Sequence, residues 1–346
     1  MGDDHLDKET SVELGLTDNG VKAKAKSRTI AAIDRLGGNI VEWGNVILEA
    51  GTSRRRAKMQ GEADIIAATA ARAVELIGTN DEFAARALAS EFGGAARKQL
   101  NKDAVGFKAG EDLLERPPSP EQTASGPETL SEEFMARFED YAAGATTEQL
   151  RERWGRVLAG EIRAPGTFSR AVMRVIDEID ADTAAIFEKT CQSRVLNVLP
   201  KALTGKLEFH VIKQLVEVGL LIEPGLGHMM RFREVTLSDG RNIWLLPLGD
   251  VAIAFDRTKS AGANPDDPII MDSGNLAVPI YILTSVGTAV SSILDDNSPA
   301  AIAKWIDAIK GQHPDVVTMR RSNYRAPYSV VDGEFPPLSV SEQGSN

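Results

Sequence analysis

The sequence predicts a mainly α fold with a smaller α+β part: long N-terminal helices, a central helical bundle and a C-terminal winged-helix-like module. Three observations carry this. Apolar residues recur at three- and four-residue steps through much of residues 28–192, the spacing of one helix face. Near Leu196 the pattern changes to shorter runs that alternate about a Ser-Asp-Gly turn, as hairpin strands do. Aromatics make up 5% of the 346 residues while Ala and Gly abound, which favours closely packed helices over a large β-sandwich. The length is enough for two domains.

The expected order is a flexible acidic tail (1–27), an N-terminal helical region (28–114), a Pro-rich linker (115–130), the central bundle (131–192), the mixed module (193–330) and a flexible tail (331–346). In the first helical region Ile40, Trp43, Ile47, Ala50, Arg54 and Ala57 fall at helical steps. Asn80 or Asp81 can start a further helix, with Gly93-Gly94 expected to kink or break it. "ERPPSPEQTASGPETL" has four prolines and little apolar content. It either separates two units or makes a long excursion within one helical unit.

The central block carries clear start and stop signals. Ser131 can cap "EEFMARFEDYAAG", and Thr146 or Thr147 can cap "EQLRERWGRVLAGEI". Leu150, Trp154, Val157, Leu158 and Glu161 then share one face, and Pro165-Gly166 ends the helix. Ser169 can cap "RAVMRVIDEID", and Asp180 or Asp182 can start "TAAIFEKTCQ". Farther on, "LEFHVIKQLVEVGLLIEP" reads as a helix with Phe209, Ile212, Val216 and Leu220 inward. "MMRFREVTLSDGRNIWLLPLG" reads as a hairpin, and "DVAIAFDR" and "LAVPIYILT" as strands. Thr284 caps the next helix, and Ser298-Pro299 opens one that stops at Gly311. The uncharged run 275–294 reads as a buried strand followed by that capped helix, rather than a membrane span.

Charge and cysteine usage narrow the function. The net charge of −11 argues against broad nucleic-acid binding, which depends on neutralising phosphates. The balance is uneven. Asp3, Asp4, Asp7, Glu9, Glu13 and Asp18 face only Lys8 in the first nineteen residues, whereas Arg54, Arg55, Arg56 and Lys58 sit in a basic segment. That segment is a solvated helix face or a contact for an anionic partner. The lone Cys191 cannot form an internal disulfide, and the acidic start lacks the apolar core of a secretory signal, so a cytoplasmic protein is expected.

No chemical motif stands out. The four histidines are far apart, with no HExxH and no cysteine pair, so no metal site is expected. P-loop, GxGxxG and GxSxG patterns are missing, and no cofactor is expected. Glu161 is the best candidate for an acid, because burial beside Trp154 and Leu158 would raise its carboxyl pKa. The structural alternative is that it pairs with Arg170 or Arg174, or accepts from backbone N–H groups near Ser169, and so sets the angle of a helical corner. The helix-then-hairpin order suggests a winged helix. Its helix and lead-in offer Lys206, Lys213 and His210 against Glu208 and Glu217, too balanced for a DNA-reading helix.

The stretch "EQLRERWGRVLAGEIRAPGTFSRAVMRVIDEIDADTAAIF" resembles a bacterial family, domain of unknown function 2806. The resemblance rests on Trp154, Leu158 and Glu161, then Pro165, Gly166 and Ser169, with "DTAAIF" (Asp182 to Phe187) after them where the family has an Asp-x-x-Ala-x-x-Phe helix. "LVEVGLLIEP" and "VPIYILTSVGTAVSSIL" are similar to its downstream stretches, with Val290 where the family has Leu. It spans roughly 28–320 and is strongest over 146–190. A weaker similarity, to abortive-infection proteins, implies a defence or prophage role. Neither implies catalytic residues. The expected function is a non-enzymatic, self-associating interaction protein in phage defence, with a second copy or another protein as partner. The alternatives are a DNA-binding regulator using Arg231, Arg233, Arg241 and Lys213, or a membrane-acting effector using the basic N-terminal helix.

Overall fold

The structure, a computed structural model, describes residues 22–36, 68, 82–120, 122, 126–225, 228–236, 240, 242–256, 267–320 and 329–332. The chain is mixed, mainly α with some β, and divides into two compact units, Met1–Asp177 and Glu178–Asn346.

The first unit holds α1 (Lys22–Arg35), α2 (Glu82–Glu115), α3 (Glu132–Gly144), α4 (Glu148–Arg163) and α5 (Arg170–Glu178), the last residue of which lies across the division. α1 starts within the stretch expected as a tail, because Lys and Ala from Lys22 onward are good helix formers. α2 runs unbroken through Gly93-Gly94, where a kink or break was expected. Two helical glycines cost about 1 kcal/mol each, which the packing of the later turns can offset: Asn101, Ala104, Val105, Ala109 and Asp112 are all buried. Local side-chain acceptors start the next helices. Ser131 Oγ accepts from Phe134 N, Thr147 Oγ1 from Leu150 N and Ser169 Oγ from Val172 N.

α2 packs along α4 and α3. Gly155 makes the closest approach possible. A Cβ there would lie 2.4 Å from Lys108 Cβ and 2.9 Å from Ala109 N. Trp154 is 1% exposed, stacked on Tyr141 at 4.5 Å and edge-on to Phe138 at 6.1 Å. The Pro-rich stretch therefore links two helices of one unit. It has its own reciprocal cap, Ser119 N to Gln122 Oε1 and Gln122 N to Ser119 Oγ.

The second unit holds α6 (Ala181–Cys191), α7 (Lys201–Thr204), α8 (Phe209–Glu217), α9 (Ser285–Ser291), α10 (Ser298–Gln312) and strands β1 to β9. Asp180 caps α6 by accepting Thr183 N at 2.8 Å and its hydroxyl at 2.6 Å. α6 was expected in the central bundle; it lies in this unit, where Gln214 of α8 donates to Thr183 Oγ1. One antiparallel sheet centres on β7 (Asn275–Ile282), which pairs with β1 (Val198–Pro200), β2 (Met229–Arg231) and β6 (Ile270–Asp272). The other has the order β3 (Arg233–Thr236), β4 (Asn242–Leu248), β5 (Val251–Asp256), β8 (Val317–Arg320), β9 (Ser329–Asp332).

Several sequence expectations change here. The hairpin forms as β3–β4, with Val235 opposite Ile243, but Met229–Arg231 leaves it for the other sheet. β4 then continues into β5, so the hairpin is not a free two-stranded wing. β9 reaches Asp332, inside the expected tail, because it completes the sheet beside β8. Phe209 is 81% exposed, not inward: it opens α8, and the buried stripe passes through Leu215 instead. Asn297, not Ser298, occupies the cap of α10, and the helix passes Gly311 to end at Gln312.

Both faces of the central strands β4 and β5 are buried, and the side chains alternate as the pleat requires, whereas β3 at the edge is largely exposed. Trp244, Leu246, Leu248, Ile253 and Phe255 join Trp305 and Ile309 of α10 and Leu276, Val278 and Ile280 of β7 in the larger core. Ile243, Leu245, Ala252, Ala254, Val317 and Met319 form a second cluster. The run 275–294 is β7 followed by α9, with Thr284 Oγ1 accepting from Gly287 N. Among the described residues no helix is long and apolar enough to cross a membrane.

Candidate functional site

The family-like motif folds into one corner. Trp154, Leu158 and Glu161 lie on the buried face of α4, and Glu161 is 2% exposed. Its Oε1 accepts from Gly166 N at 2.6 Å and its Oε2 from Phe168 N at 3.0 Å. Pro165-Gly166 makes the turn, Gly166 at a φ of +90° that other residues rarely adopt. Phe168 folds back over Gly160, where a Cβ would meet its ring at 2.7 Å. Arg170 pairs with Glu133 instead of Glu161. Both carboxylate oxygens are thus taken up in closing the α4–α5 turn.

Burial pushes the Glu161 carboxyl above its ordinary value of 4.5, against the opposing pull of the Gly166, Phe168 and Thr167 N–H groups. A raised folded-state value gives stability that is complete below the unfolded value and is lost as pH rises through the folded one. Glu161→Gln keeps the shape but sets an amide NH2 against a backbone N–H, at a cost of about 2 kcal/mol at neutral pH. The stability gap between wild type and this variant should narrow as pH rises from below 4.5, in urea titrations at a series of pH values. A gap that widens would refute the burial argument.

Two arginines brace the same corner, and the sequence alone did not point to either. Arg28 of α1 is 0% exposed, and burial lowers its pKa. It donates to Pro127 O at 2.6 Å and to Ile162 O at 3.0 Å, strapping the Pro-rich stretch to the end of α4. Arg163 donates to Arg116 O and to the buried Asp112 carboxylate at 2.5 Å, while Arg116 pairs with the same carboxylate. These partners lie 47 to 134 residues away, so no local spacing could reveal them. Cations at the last carbonyls of α4 also suit the negative end of its dipole.

The other sequence candidates divide. Arg54, Arg55, Arg56 and Lys58 lie outside the described residues, as does Arg241. Arg231 is held by Asp272 at 2.6 Å and Lys213 pairs with Glu217, which leaves both engaged. Cys191 is buried and its thiol is pushed up to about 12, so it stays protonated and unreactive at neutral pH. Among the described residues no group of three or more His, Cys, Asp or Glu is placed to hold a metal ion.

The second unit contains a groove of about 600 Å³ between α6, the segment joining α7 to α8, and the start of α10. Lys189, Lys206, Lys304 and His210 line it, with Glu208 as its single acid. Its position depends on contacts between elements far apart in sequence, and no motif marked it.

No curated protein and no solved structure matches the chain. The first family resemblance read from the sequence is carried by a match that says nothing of abortive-infection proteins and is narrower than 28–320, running from the middle of α2 to the end of α7. Residues 97–204, which include the whole Trp154–Ser169 corner, match the family described as a protein of unknown function, DUF2806.

Proposed function

We propose that this chain is a non-enzymatic interaction protein that associates with a second copy of itself through α2. The supporting observation is how unevenly α2 is used. From Ser90 to Leu100 it has no buried side chain, whereas Asn101 to Asp112 pack against α3 and α4. Phe92 in this less buried part is 51% exposed. Gly93, Gly94, Ala95 and Ala96 beside it allow another helix to come close. Burying a Phe side chain contributes about 1.5–3 kcal/mol, which two paired segments would set against the cost of association. The non-enzymatic part of the reading is supported by Glu161, whose two oxygens are committed to backbone N–H groups.

The winged-helix-like view of the second unit has the order of α8 followed by the β3–β4 hairpin in its favour. The pairing of Arg231 and Lys213 with acids favours protein contacts over DNA for that surface. The setting we propose, phage defence, is supported by the abortive-infection resemblance alone. Sedimentation velocity of the full chain tests the association. A dimer or larger species is expected at tens of micromolar, and Phe92→Glu should shift it to monomer with an unchanged melting temperature. A wild-type chain that stays monomeric at high micromolar concentration would defeat the proposal.

A further inference from the structure

We propose that the groove of the second unit binds a small organic anion that carries two or more negative charges on an apolar body, such as an aryl phosphate. This is independent of α2 association. The groove measures about 600 Å³, within the range of roughly 300–1,000 Å³ typical of small-molecule sites.

Its chemistry is divided in two. The floor is apolar or buried, formed by Ile186 and Ala301 with Leu203 and Leu207. The rim carries Lys189 of α6, Lys206 of the segment joining α7 to α8, and Lys304 of α10. None of these lysines has an ion-pair partner among the described residues, in a protein whose net charge is −11. Most other cations described in this unit are already engaged: Arg194 with Asp296, Lys213 with Glu217, Arg231 with Asp272. Lys201 lies over the Tyr281 ring at 4.9 Å. Three unpaired cations around one concavity therefore stand apart from the usual pattern of this surface.

The walls are also held in place without a ligand. Leu207 N donates to Tyr281 Oη at 3.1 Å, fixing the Lys206 segment to β7. Gln214 Nε2 donates to Thr183 Oγ1 at 2.6 Å, fixing α8 to α6. A preformed site of this kind loses little entropy on binding. Glu208, the acid of the rim, sits 3.2 Å from His210 Nδ1. Its side chain does not cap α8, which leaves the first N–H groups of that helix at the groove edge without a side-chain acceptor. An anionic oxygen there would add to the lysine contacts, though the lysines carry the argument.

The test is calorimetric titration of the full chain with 2-naphthyl phosphate at low salt. Saturable one-site binding is expected, and it should weaken as salt is raised. The variant K189Q/K206Q/K304Q should bind roughly tenfold or more weakly with an unchanged melting temperature, since these side chains are exposed. A control with Lys98→Gln and Lys213→Gln, outside the groove, should bind as wild type does. Inorganic phosphate should bind more weakly than the naphthyl ester, because it cannot use the floor. Three outcomes overturn the proposal: no saturable heat, an equal loss in the control variant, or equal affinity for inorganic phosphate. Preferential binding of a Glu-rich peptide over the naphthyl ester would also overturn it, by assigning the groove to a protein segment.

Discussion

Trp154→Ala should lower the unfolding free energy of the first unit by about 4 kcal/mol, the middle of the range for deleting a buried large aromatic. Trp154 is 1% exposed and is among the largest fully buried side chains. Its ring stacks on Tyr141 with an interplanar angle of 13° and meets Phe138 edge-on at 74°. Such aromatic pairs contribute about 0.5–1.5 kcal/mol each beyond the area they bury. The backbone next to it cannot collapse into the space left behind, because Gly155 already brings α4 against Lys108 and Ala109 of α2. Against a total stability of roughly 5–15 kcal/mol for a domain, this is enough to leave the unit partly unfolded. Because the chain has two compact units, the measurement must separate their transitions. Urea denaturation followed by circular dichroism should show one transition moving to lower urea and the other staying in place. A loss below about 1 kcal/mol would mean that the corner does not depend on this ring.

Gly287→Ala should destabilise the second unit by about 3 kcal/mol, the upper part of the usual range for overpacking. An added Cβ would lie 2.0 Å from Leu220 O, far inside van der Waals contact. That carbonyl is not free to move, because it accepts from Thr284 N at 3.1 Å. The neighbouring Gly219 carbonyl accepts from Thr284 Oγ1 at 2.5 Å. Thr284 Oγ1 also accepts from Gly287 N to start α9, so one threonine ties the helix start to the end of the α8 segment. Relieving the clash would break at least one of these bonds. Gly311→Ala is the matched control: it lies in the last turn of α10 with nothing within 4 Å of its added Cβ. It should be neutral or gain up to about 1 kcal/mol from helix propensity. Melting temperatures of the two variants compared with wild type decide the matter, and equal shifts would refute the close-approach account.

The corner at Glu161 shows how local sequence and distant chain combine. Its turn is encoded within a few residues: Pro165 cannot continue α4, Gly166 takes up the left-handed backbone, and Ser169 starts α5. The choice between an arginine partner and backbone N–H groups for Glu161 was not decided by spacing, since both lie within reach. Packing decides it, because Phe168 folds over Gly160 and brings its N–H to the carboxylate. Arg170 is drawn instead to Glu133 of α3, a residue that sequence separation hides.

What the sequence determined by itself is the set of short-range events. Ser131, Ser169 and Thr284 each bond an N–H three residues on, so the cap and the group that it satisfies are read together, while two further caps were narrowed to Thr146 or Thr147 and to Asp180 or Asp182, of which Thr147 and Asp180 serve. The strands β5 and β7 are legible for a similar reason, as continuous apolar runs buried on both faces. Tertiary structure alone decided the rest. α2 runs on through Gly93-Gly94 into turns that pack from Asn101 onward, and sheet pairing drew Met229–Arg231 away from the hairpin that follows it. Arg28 found its acceptors 99 and 134 residues away, and the lysine groove was assembled from two helices and a connecting segment. The physical reason is common to all of these. A hydrogen bond at i+3 depends on one local turn, whereas a burial or a long-range contact depends on which surfaces the whole chain brings together.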